Sequence, residues 1–323
     1  MDNVKTLNKL NKQKEQFYNE IGKVIIGQND VLEHIFIALL CKGHILLEGV
    51  PGLGKTLIIK TISDILDLNF NRIQFTPDLM PSDITGSEII SQDPDTGERA
   101  LKFIKGPIFS NVILADEINR TPPKTQSALL EAMQENRVTT GGKTYEIAEP
   151  FFVLATQNPI EQEGTYPLPE AQLDRFMFNV LIEYPSLKEE EKIVISNTAP
   201  HDFKLSQIIS KEELLDYQKL VKNVPVSDNL IEYAVKFVHN TRPGDDSLEL
   251  TNKYIAWGAG PRASSFLILA AKAKAVLNGK ATPDIGDIQS VVKSVLRHRI
   301  IINFNAEAEG IRTDKILDML MEQ

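Results

Sequence analysis

The chain has 323 residues, of which 42% are hydrophobic and 24% are charged, and its 35 basic and 44 acidic residues give a formal net charge of −9. This composition provides enough apolar material for a sizeable core and excludes a disordered or collagen-like chain. The acidic balance disfavours a protein that binds nucleic acid through bulk positive charge. At this length we expect two units, or one core with an appended domain.

The amino-terminal part of the chain predicts helices and no export or membrane signal. Residues 1–22 have helical apolar spacing, and after a break at 24–28 a second amphipathic stretch runs to Leu40. Charged and histidine side chains interrupt the most apolar region, 31–50, so no run approaches the roughly 18 residues of a transmembrane helix. The amino-terminal lysines precede no signal-peptide core, and the single Cys41 lacks a disulfide partner. We therefore expect a protein of the reducing cytoplasm with no direct membrane insertion.

Short apolar runs alternate with helical patterns between residues 44 and 155. The pattern predicts strands at 45–47, 70–75, 112–115 and 151–155, and helices at 56–68 and 125–135. Such alternation is typical of an α/β fold in which helices cover both faces of a mostly parallel sheet.

Two segments interrupt this alternation. Residues 77–110 carry proline and glycine turn signals over a length that exceeds an ordinary loop, which predicts an insert with its own hairpin. Residues 137–147 place alternating side chains around Gly141-Gly142, which predicts a second hairpin. Beyond residue 185 the pattern changes to helices separated by prolines. We therefore expect an α/β core over 1–185 and a helical domain over 186–323.

A glycine-rich motif stands between the first predicted strand and the helix that follows it. Residues 49–56, Gly-Val-Pro-Gly-Leu-Gly-Lys-Thr, match G-x-x-x-x-G-K-S/T, the phosphate-binding loop. Glycines let backbone amides turn toward phosphate groups, and the helix amino terminus adds partial positive charge. Lys55 would reach the β and γ phosphates, and Thr56 would bind Mg²⁺. The alternative is a plain glycine turn between a strand and a helix.

Two later strands end in polar groups. The strand at 112–115 leads to Asp116, which would hold Mg²⁺, and to Glu117, which would orient and deprotonate an attacking water. Adjacent residues can share these tasks only if the strand terminates there, since successive side chains on a strand face opposite sides. The strand at 151–155 leads to Asn158, which could contact the γ phosphate or the water; taken alone, a turn before Pro159 explains it better.

These segments resemble the Walker A, Walker B and sensor 1 motifs of the AAA+ ATPases, and several longer stretches resemble the MoxR family. The stretches are 47–56, 115–124, 154–159, 163–176 and 258–264. The resemblance implies a P-loop NTPase core with an all-α carboxy-terminal lid domain, and ATP and Mg²⁺ as ligands. The nucleotide-binding residues it implies are Ile26, Gly27, Gly49, Val50, Pro51, Gly52, Leu53, Gly54, Lys55, Thr56, Leu57, Asp116 and Arg262, and the catalytic ones are Lys55, Glu117, Asn158, Arg175 and Arg262.

Two arginines gain roles only through this resemblance. Arg175, in Leu-Asp-Arg-Phe, matches the arginine finger that enters the nucleotide site of the neighbouring subunit, where it would supply charge to the γ phosphate. Arg262, in Gly-Pro-Arg, matches sensor 2, which the lid positions. The alternatives are a surface salt bridge for Arg175 and an ordinary helix-start arginine for Arg262. The segment 24–28 resembles the one that packs near the adenine, chiefly through its backbone.

The two predicted hairpins also gain an interpretation. The insert resembles the helix-2 insert that groups MoxR proteins with magnesium chelatase and MCM-type ATPases, and the hairpin at 137–147 resembles the pre-sensor-1 hairpin. In such proteins both face the pore of a ring, where partners bind. The alternative is a pair of plain solvent-exposed hairpins.

The resemblance implies a homo-hexameric ring that hydrolyses ATP to ADP and remodels or matures a protein client. The partner would be a separate chain, such as a von Willebrand factor A domain protein, and no nucleic acid is expected. Three alternatives remain open: a DNA-acting motor of the helicase or clamp-loader kind, a subunit like that of magnesium chelatase, and a nucleotide-binding scaffold that does not hydrolyse. The five histidines form no i,i+4 pair, so no metal site is expected beyond the nucleotide's Mg²⁺.

Overall fold

The amino-terminal residues form two helices that contact each other through stacked aromatic rings. The computed structural model describes residues 3–92, 99–160, 164–198 and 204–323. Helix α1 (Asn3–Ile21) and helix α2 (Asn29–Leu40) are separated by the predicted break. The rings of Phe17 and Phe36 are fully buried and lie 4.5 Å apart. The helical spacing read from the sequence is therefore confirmed.

A five-stranded parallel sheet forms the centre of the molecule. Up to residue 181 the further elements are β1 (Ile45–Glu48), α3 (Lys55–Ile65), β2 (Phe70–Gln74), α4 (Pro81–Thr85), β3 (Gly86–Gln92), β4 (Arg99–Lys105), β5 (Val112–Asp116), α5 (Pro123–Glu135), β6 (Arg137–Thr140), β7 (Lys143–Glu146), β8 (Phe152–Gln157), α6 (Glu170–Leu173) and β9 (Phe178–Leu181). The sheet order is β2-β5-β8-β1-β9, with every neighbouring pair parallel. The four predicted strands are confirmed, and β9 is a fifth that was not predicted.

Both faces of this sheet are covered, as the alternating pattern predicted. Side chains alternate along each strand, so Ile113 and Val153 belong to one buried cluster while Leu114 and Leu154 belong to another. The first cluster also contains Leu129 from α5, and the second contains residues of α1, α2 and α3. The α/β architecture is therefore confirmed.

Both predicted hairpins are present and lie against each other. In the insert, β3 pairs with β4, and its residues 93–98 lie outside the described part of the chain. The strands β6 and β7 pair around Gly141 and Gly142, whose φ values of 56° and 74° suit a tight two-residue hairpin turn. The rings of Phe103 and Tyr145 stack across the two hairpins at 4.1 Å. The hairpins therefore touch through a defined aromatic contact.

The remainder of the chain is mainly helical. Its elements are α7 (Leu187–Thr198), α8 (Lys211–Asn223), α9 (Asp228–His239), α10 (Glu249–Tyr254), β10 (Ile255–Trp257), α11 (Pro261–Leu277), α12 (Ile285–Gln289), α13 (Val292–Leu296), β11 (Ile301–Ile302), α14 (Phe304–Ala308) and α15 (Thr313–Met321). The helical lid is confirmed, with one addition: β10 and β11 form a short antiparallel pair.

The helical region shares a buried cluster with the amino-terminal helices. Leu267 and Ala270 of α11 are fully buried in the cluster that also holds Phe17 and Phe36. The boundary between residues 185 and 186 stays a prediction, because this core extends across it. Within the described ranges, no helix combines the length and hydrophobicity that crossing a membrane requires.

Candidate active site

The glycine-rich segment forms an open loop between β1 and α3. Gly52 and Gly54 have φ values of 87° and 72°, in the left-handed region that favours glycine, and a Cβ at either position would meet no atom within 4 Å. At Gly49 the backbone approaches Ile182 so closely that a Cβ would lie 2.1 Å from its Cγ2 atom. The loop therefore has free space above it and backbone amides at the start of a helix, which suits a phosphate chain.

Lys55 begins α3 and lies among carboxylates. Its Nζ atom donates a hydrogen bond of 2.5 Å to the Gly49 carbonyl oxygen. Partial burial lowers the pKa of the Lys55 amine below its usual value, while Asp116, Glu117 and Glu48 act in the opposite direction. The amine therefore lies within electrostatic reach of the carboxylates at the ends of β1 and β5.

The strand β5 ends at Asp116, as the shared role predicted for Asp116 and Glu117 requires. Asp116 is its last residue, and Glu117 leaves the extended conformation with φ 57° and ψ 50°. Thr156 of β8 donates to Asp116 Oδ1 at 2.6 Å, and its oxygen accepts the Glu117 amide at 2.9 Å. The terminating strand and one threonine hydroxyl thus place both acidic residues at the carboxyl edge of the sheet, beside the loop that follows β1.

Two side chains of β2, which sequence reasoning missed, bind these carboxylates. Arg72 donates to Asp116 Oδ2 through Nη2 at 2.6 Å and Nε at 3.2 Å. Gln74 donates to Glu117 Oε2 at 2.9 Å, and Arg120 lies 3.2 Å from the same oxygen. The register pairs Gln74 with Asp116, so β2 presents alternate polar residues to the end of β5. The signal is the polar alternation of β2, which becomes informative only once β2 is known to neighbour β5.

Asn158 lies immediately after β8, at the same edge, and is 8% exposed. Its Oδ1 accepts the amide of Ile160 at 3.1 Å. That bond fits the turn before Pro159. The position beside the acidic residues also fits a contact with the γ phosphate.

A cavity of about 360 Å³ opens between the loop, the segment before α2 and the helix α7. Ile26 lines it, whereas Gly27 lies against Glu189, whose Oε1 would be 2.6 Å from a Cβ. Its lining residues are Val24, Ile25, Ile26, Gln28, Pro51, Gly52, Leu53, Gly54, Leu57, Ile58, Tyr184, Pro185, Glu190, Ile193, Ser196 and Asn197. The largely apolar walls suit a nucleotide base, and the contribution of α7 was not predicted.

The oxygen donors at this edge suit Mg²⁺. Thr56, the second residue of α3, offers a hydroxyl, and Asp116 and Glu117 offer carboxylates. Hard oxygen ligands of this kind, beside a loop that accepts phosphates, match the preference of Mg²⁺ for a carboxylate together with substrate oxygens. The residues present therefore fit the metal.

The structure does not bring Arg175 or Arg262 to this edge. The strands β1 and β9 are parallel, with Ile45 opposite Phe178 and Glu48 opposite Leu181. The phosphate loop follows the carboxyl end of β1, and Arg175 precedes the amino end of β9. The four-residue strand alone separates them by about 13 Å, at ~3.3 Å per residue.

Both arginines are held at the amino edge of the sheet. Arg175 Nη1 donates to the Leu130 carbonyl at 2.8 Å, and Arg262 Nη1 donates to Asp174 Oδ2 at 2.8 Å. The two side chains line one small cavity beside His44, which precedes β1. Neither arginine can therefore serve the phosphate loop of its own chain in this conformation.

Comparisons with known proteins agree with these features. Residues 44–178 match the model of the ATPase family associated with various cellular activities, and residues 248–320 match that of the AAA lid domain. The chain is 42% identical over 306 residues to Chaperone MoxR1 of Mycobacterium tuberculosis, covering 94% of this chain and 79% of that protein. It is 44% identical over 302 residues to the uncharacterized protein YeaC of Bacillus subtilis, covering 93% and 91%.

One more distant relative and one solved structure are also similar to this chain. Protein MoxR of Methylorubrum extorquens is 26% identical over 299 residues, covering 89% of this chain and 87% of that protein. The crystal structure of a Cytophaga hutchinsonii protein assigned as an ATPase superposes with a TM-score of 0.91 at 43% identity, covering 98% of this chain and 96% of that one.

Proposed function

Since the chain belongs to the MoxR family of AAA ATPases, we propose that it hydrolyses ATP in a ring of six identical subunits and uses the energy to remodel a protein client. The observation that carries the proposal is the carboxyl edge of the sheet. There the open phosphate loop lies beside Asp116 and Glu117, which one hydroxyl, that of Thr156, holds in place.

The reaction is attack of water on the γ phosphate. The amides of the loop and Lys55 bind the β and γ phosphates, and Ile26 and the wall of the adjoining cavity hold the adenine. Thr56 and Asp116 hold Mg²⁺, which when bound neutralises charge on the phosphate oxygens. Glu117 orients the attacking water and accepts its proton, and Asn158 contacts the γ phosphate or that water.

The positive charge that the transition state needs comes from a neighbouring subunit. Arg175 and Arg262 lie at the amino edge of the sheet, away from the phosphate loop of their own chain. In a ring, that edge of one subunit faces the nucleotide site of the next, so both arginines act on the neighbour's γ phosphate. A trans arginine contributes a factor of about 10³ to 10⁵ in rate in other NTPases. Turnover therefore depends on assembly.

The client is a protein, reached through the two hairpins or through a separate partner chain. One close relative is named a chaperone, and the net charge of −9 disfavours a nucleic-acid track. The insert hairpin exposes Ile90 and Leu101, at 73% and 64%, which suits contact with an apolar protein surface. A von Willebrand factor A domain protein is the partner that we propose, with the complex in the cytoplasm.

The test of this function is Glu117→Gln, which removes the proton acceptor while keeping the shape of the side chain. We expect turnover to fall by about 10² to 10⁴ while binding of ATP persists, measured by phosphate release and by a fluorescent ATP analogue. Glu232→Gln, on an exposed position of α9, is the matched control and should leave both quantities unchanged.

Retention of more than half of the wild-type turnover by Glu117→Gln would contradict the proposal. With ATP bound, the same variant should hold its assembly and client together, so it is also the bait of choice for isolating the partner from a cell extract.

A further inference from the structure

A buried arginine of the helical region fastens the segment between α6 and β9. Arg299 follows α13, and its side chain is 1% exposed. Its Nε atom lies 2.8 Å from Asp174 Oδ1, and its guanidinium donates to the main-chain oxygens of Asp174 at 2.9 Å, Phe176 at 2.5 Å and Met177 at 3.4 Å. A single side chain is thus bonded to three of the four residues that lead into β9.

Asp174 also binds Arg262, the arginine of α11. Its Oδ2 accepts Arg262 Nη1 at 2.8 Å while its Oδ1 takes Arg299. Arg175 is the next residue along the chain, and its guanidinium donates to the Leu130 carbonyl. One carboxylate therefore sets Arg262 of α11 beside the segment that carries Arg175.

Stability alone does not explain the ion pair of Arg299 with Asp174, because burying a charged group costs free energy. Burial lowers the pKa of Arg299 to about 10, although Asp174 opposes the change. Because the Arg299 charge loses its water while the Asp174 side chain stays 29% exposed, this ion pair adds little net stability compared with apolar packing. It does fix geometry, since a planar guanidinium bound to a carboxylate and several carbonyl oxygens allows few other positions.

The Arg299 guanidinium is also held from its other side. Its central carbon lies 5.2 Å from the ring centroid of Phe266, which stands on α11 one turn after Arg262. Arg299, which binds the segment that contains Arg175, is thus in direct contact with α11, the helix that carries Arg262.

We propose that Asp174 and Arg299 are positioning residues that hold Arg175 and Arg262 as one unit, ready to enter the nucleotide site of the neighbouring subunit. This inference rests on the proposed function, because Arg175 and Arg262 have a catalytic role only if a second chain brings its phosphate loop to them. It adds that the lid controls the arginine finger: a shift of α11 or of the residues after α13 moves both arginines together.

The experiment uses Asp174→Asn, which keeps the shape of the side chain and removes its charge. Turnover of the assembled protein should fall at least tenfold. The affinity for a fluorescent ATP analogue should change less than twofold, because Asp174 lies at the opposite edge of the sheet from the phosphate loop. The matched control is Asp314→Asn, which weakens another ion pair of the helical region. Asp314 accepts Arg297 Nε at 3.0 Å and Arg297 Nη2 at 2.8 Å. This variant should keep turnover within twofold of wild type.

A mixing assay separates positioning from a folding defect. Chains with Glu117→Gln lack their own turnover but carry intact arginines, so they should restore activity to the intact phosphate loops of Asp174→Asn chains. Random equimolar assembly puts an Asp174→Asn loop against a Glu117→Gln neighbour at one site in four, so about a quarter of wild-type turnover should return if the arginine acts in trans. If Asp174→Asn fails to fold, Arg299→Lys, which keeps the charge and loses the fork, takes its place with the same expectations.

Wild-type turnover in Asp174→Asn would overturn the inference, and so would a loss that the mixture does not restore. A parallel mixture of Arg175→Ala and Glu117→Gln chains distinguishes the two proposals. If that mixture regains activity and the Asp174→Asn mixture does not, the positioning role fails alone. If neither does, trans catalysis itself fails.

Discussion

Thr156 is the residue that organises the acidic end of the site. Its hydroxyl donates to Asp116 and accepts the Glu117 amide, so one side chain orients both the carboxylate of the proposed Mg²⁺ ligand and the backbone of the proposed base. It is 1% exposed, and water therefore cannot replace these bonds without rearrangement.

Thr156→Val should reduce turnover by about 10- to 100-fold, since a hydrogen bond to a charged group contributes about 1.5–3 kcal/mol. Thr156→Ser retains the hydroxyl and is the control that should stay within about threefold of wild type. Steady-state phosphate release at saturating ATP is the measurement. An active Thr156→Val enzyme would show that the hydroxyl has no part in orienting the acids.

His44 makes the stability of the protein sensitive to mild acid. Its Nδ1 accepts the Val153 amide at 3.1 Å and its Nε2 lies 3.2 Å from the Met133 carbonyl, so the neutral ring with the proton on Nε2 fits both partners. Burial lowers its pKa from 6.5 to about 4. As the pH falls, His44 of the unfolded chain is therefore protonated before His44 of the folded protein. The contribution of the neutral, buried ring to the free energy of unfolding is complete above pH 6.5 and declines as the pH falls toward 4.

Between pH 7.5 and 5.5, the free energy of unfolding should therefore fall by about 1.4 kcal/mol on account of His44. Urea denaturation of the wild type and of His44→Gln at the two pH values measures this, and the decrease should be smaller in the variant by that amount. His239→Gln, on an exposed position of α9, is the control and should match the wild type. If the free energy of unfolding of His44→Gln depended on pH as strongly as that of the wild type, protonation of His44 would not be linked to folding.

At the residue scale, the sequence predicts the chemistry of the phosphate loop and of the acidic pair but not their supporting partners. Lys55 and Asp116 are predictable because a motif fixes their spacing relative to strands. Arg72, Gln74 and Thr156 lie on other strands, and they meet the acids only through the register of β2 and β8 with β5. Strand register is a property of the assembled sheet, so no local pattern contains it.

At the scale of elements, the two hairpins are joined by direct side-chain contacts. Phe103 of β4 and Tyr145 of β7 have ring centroids 4.1 Å apart and an interplanar angle of 20°. Glu88 of β3 lies so close to Gly141 that a Cβ there would be 2.5 Å from its carboxylate. We therefore expect a displacement of the insert hairpin to be transmitted to the β6–β7 hairpin, which follows α5.

A double-mutant cycle of Phe103→Ala and Tyr145→Ala should give a coupling free energy of about 0.5–1.5 kcal/mol, as stacked aromatic pairs do. Urea denaturation of the wild type, both single variants and the double variant supplies the four values. Phe103→Ala combined with Tyr233→Ala, whose ring lies on α9, should be additive. Additivity of the first pair would mean that the hairpins are independent.

The elements that the sequence predicts well are those with strong local patterns. Buried runs such as 112–115 and the glycine pair of the second hairpin leave little choice of structure. The strand β9 has only four residues and follows Arg175 without a turn signal of its own, so it is defined by its pairing with β1. The contribution of α7 to the base cavity likewise depends on how the chain returns after β9.

At the scale of the whole molecule, the two sets of proposed site residues lie on opposite edges of one sheet. The phosphate loop and the acids occupy the carboxyl edge, and Arg175 and Arg262 occupy the amino edge, held by Asp174 and Leu130. Under the proposed function, a chain built in this way carries one half of a site for itself and one half for a neighbour. The proposed function therefore predicts that hydrolysis depends on assembly.

Mixing two inactive variants tests this most directly. Lys55→Ala chains keep their arginines and lose the proposed phosphate contact, and Arg175→Ala chains keep that contact and lose the proposed trans arginine. Each should be nearly inactive alone, and an equimolar mixture should recover about a quarter of wild-type phosphate release per chain, since one site in four joins an intact loop to an intact trans arginine. Lys55→Ala mixed with Glu117→Gln, both defective in the same half-site, should stay inactive. Failure of the first mixture to recover activity would contradict a site shared between chains.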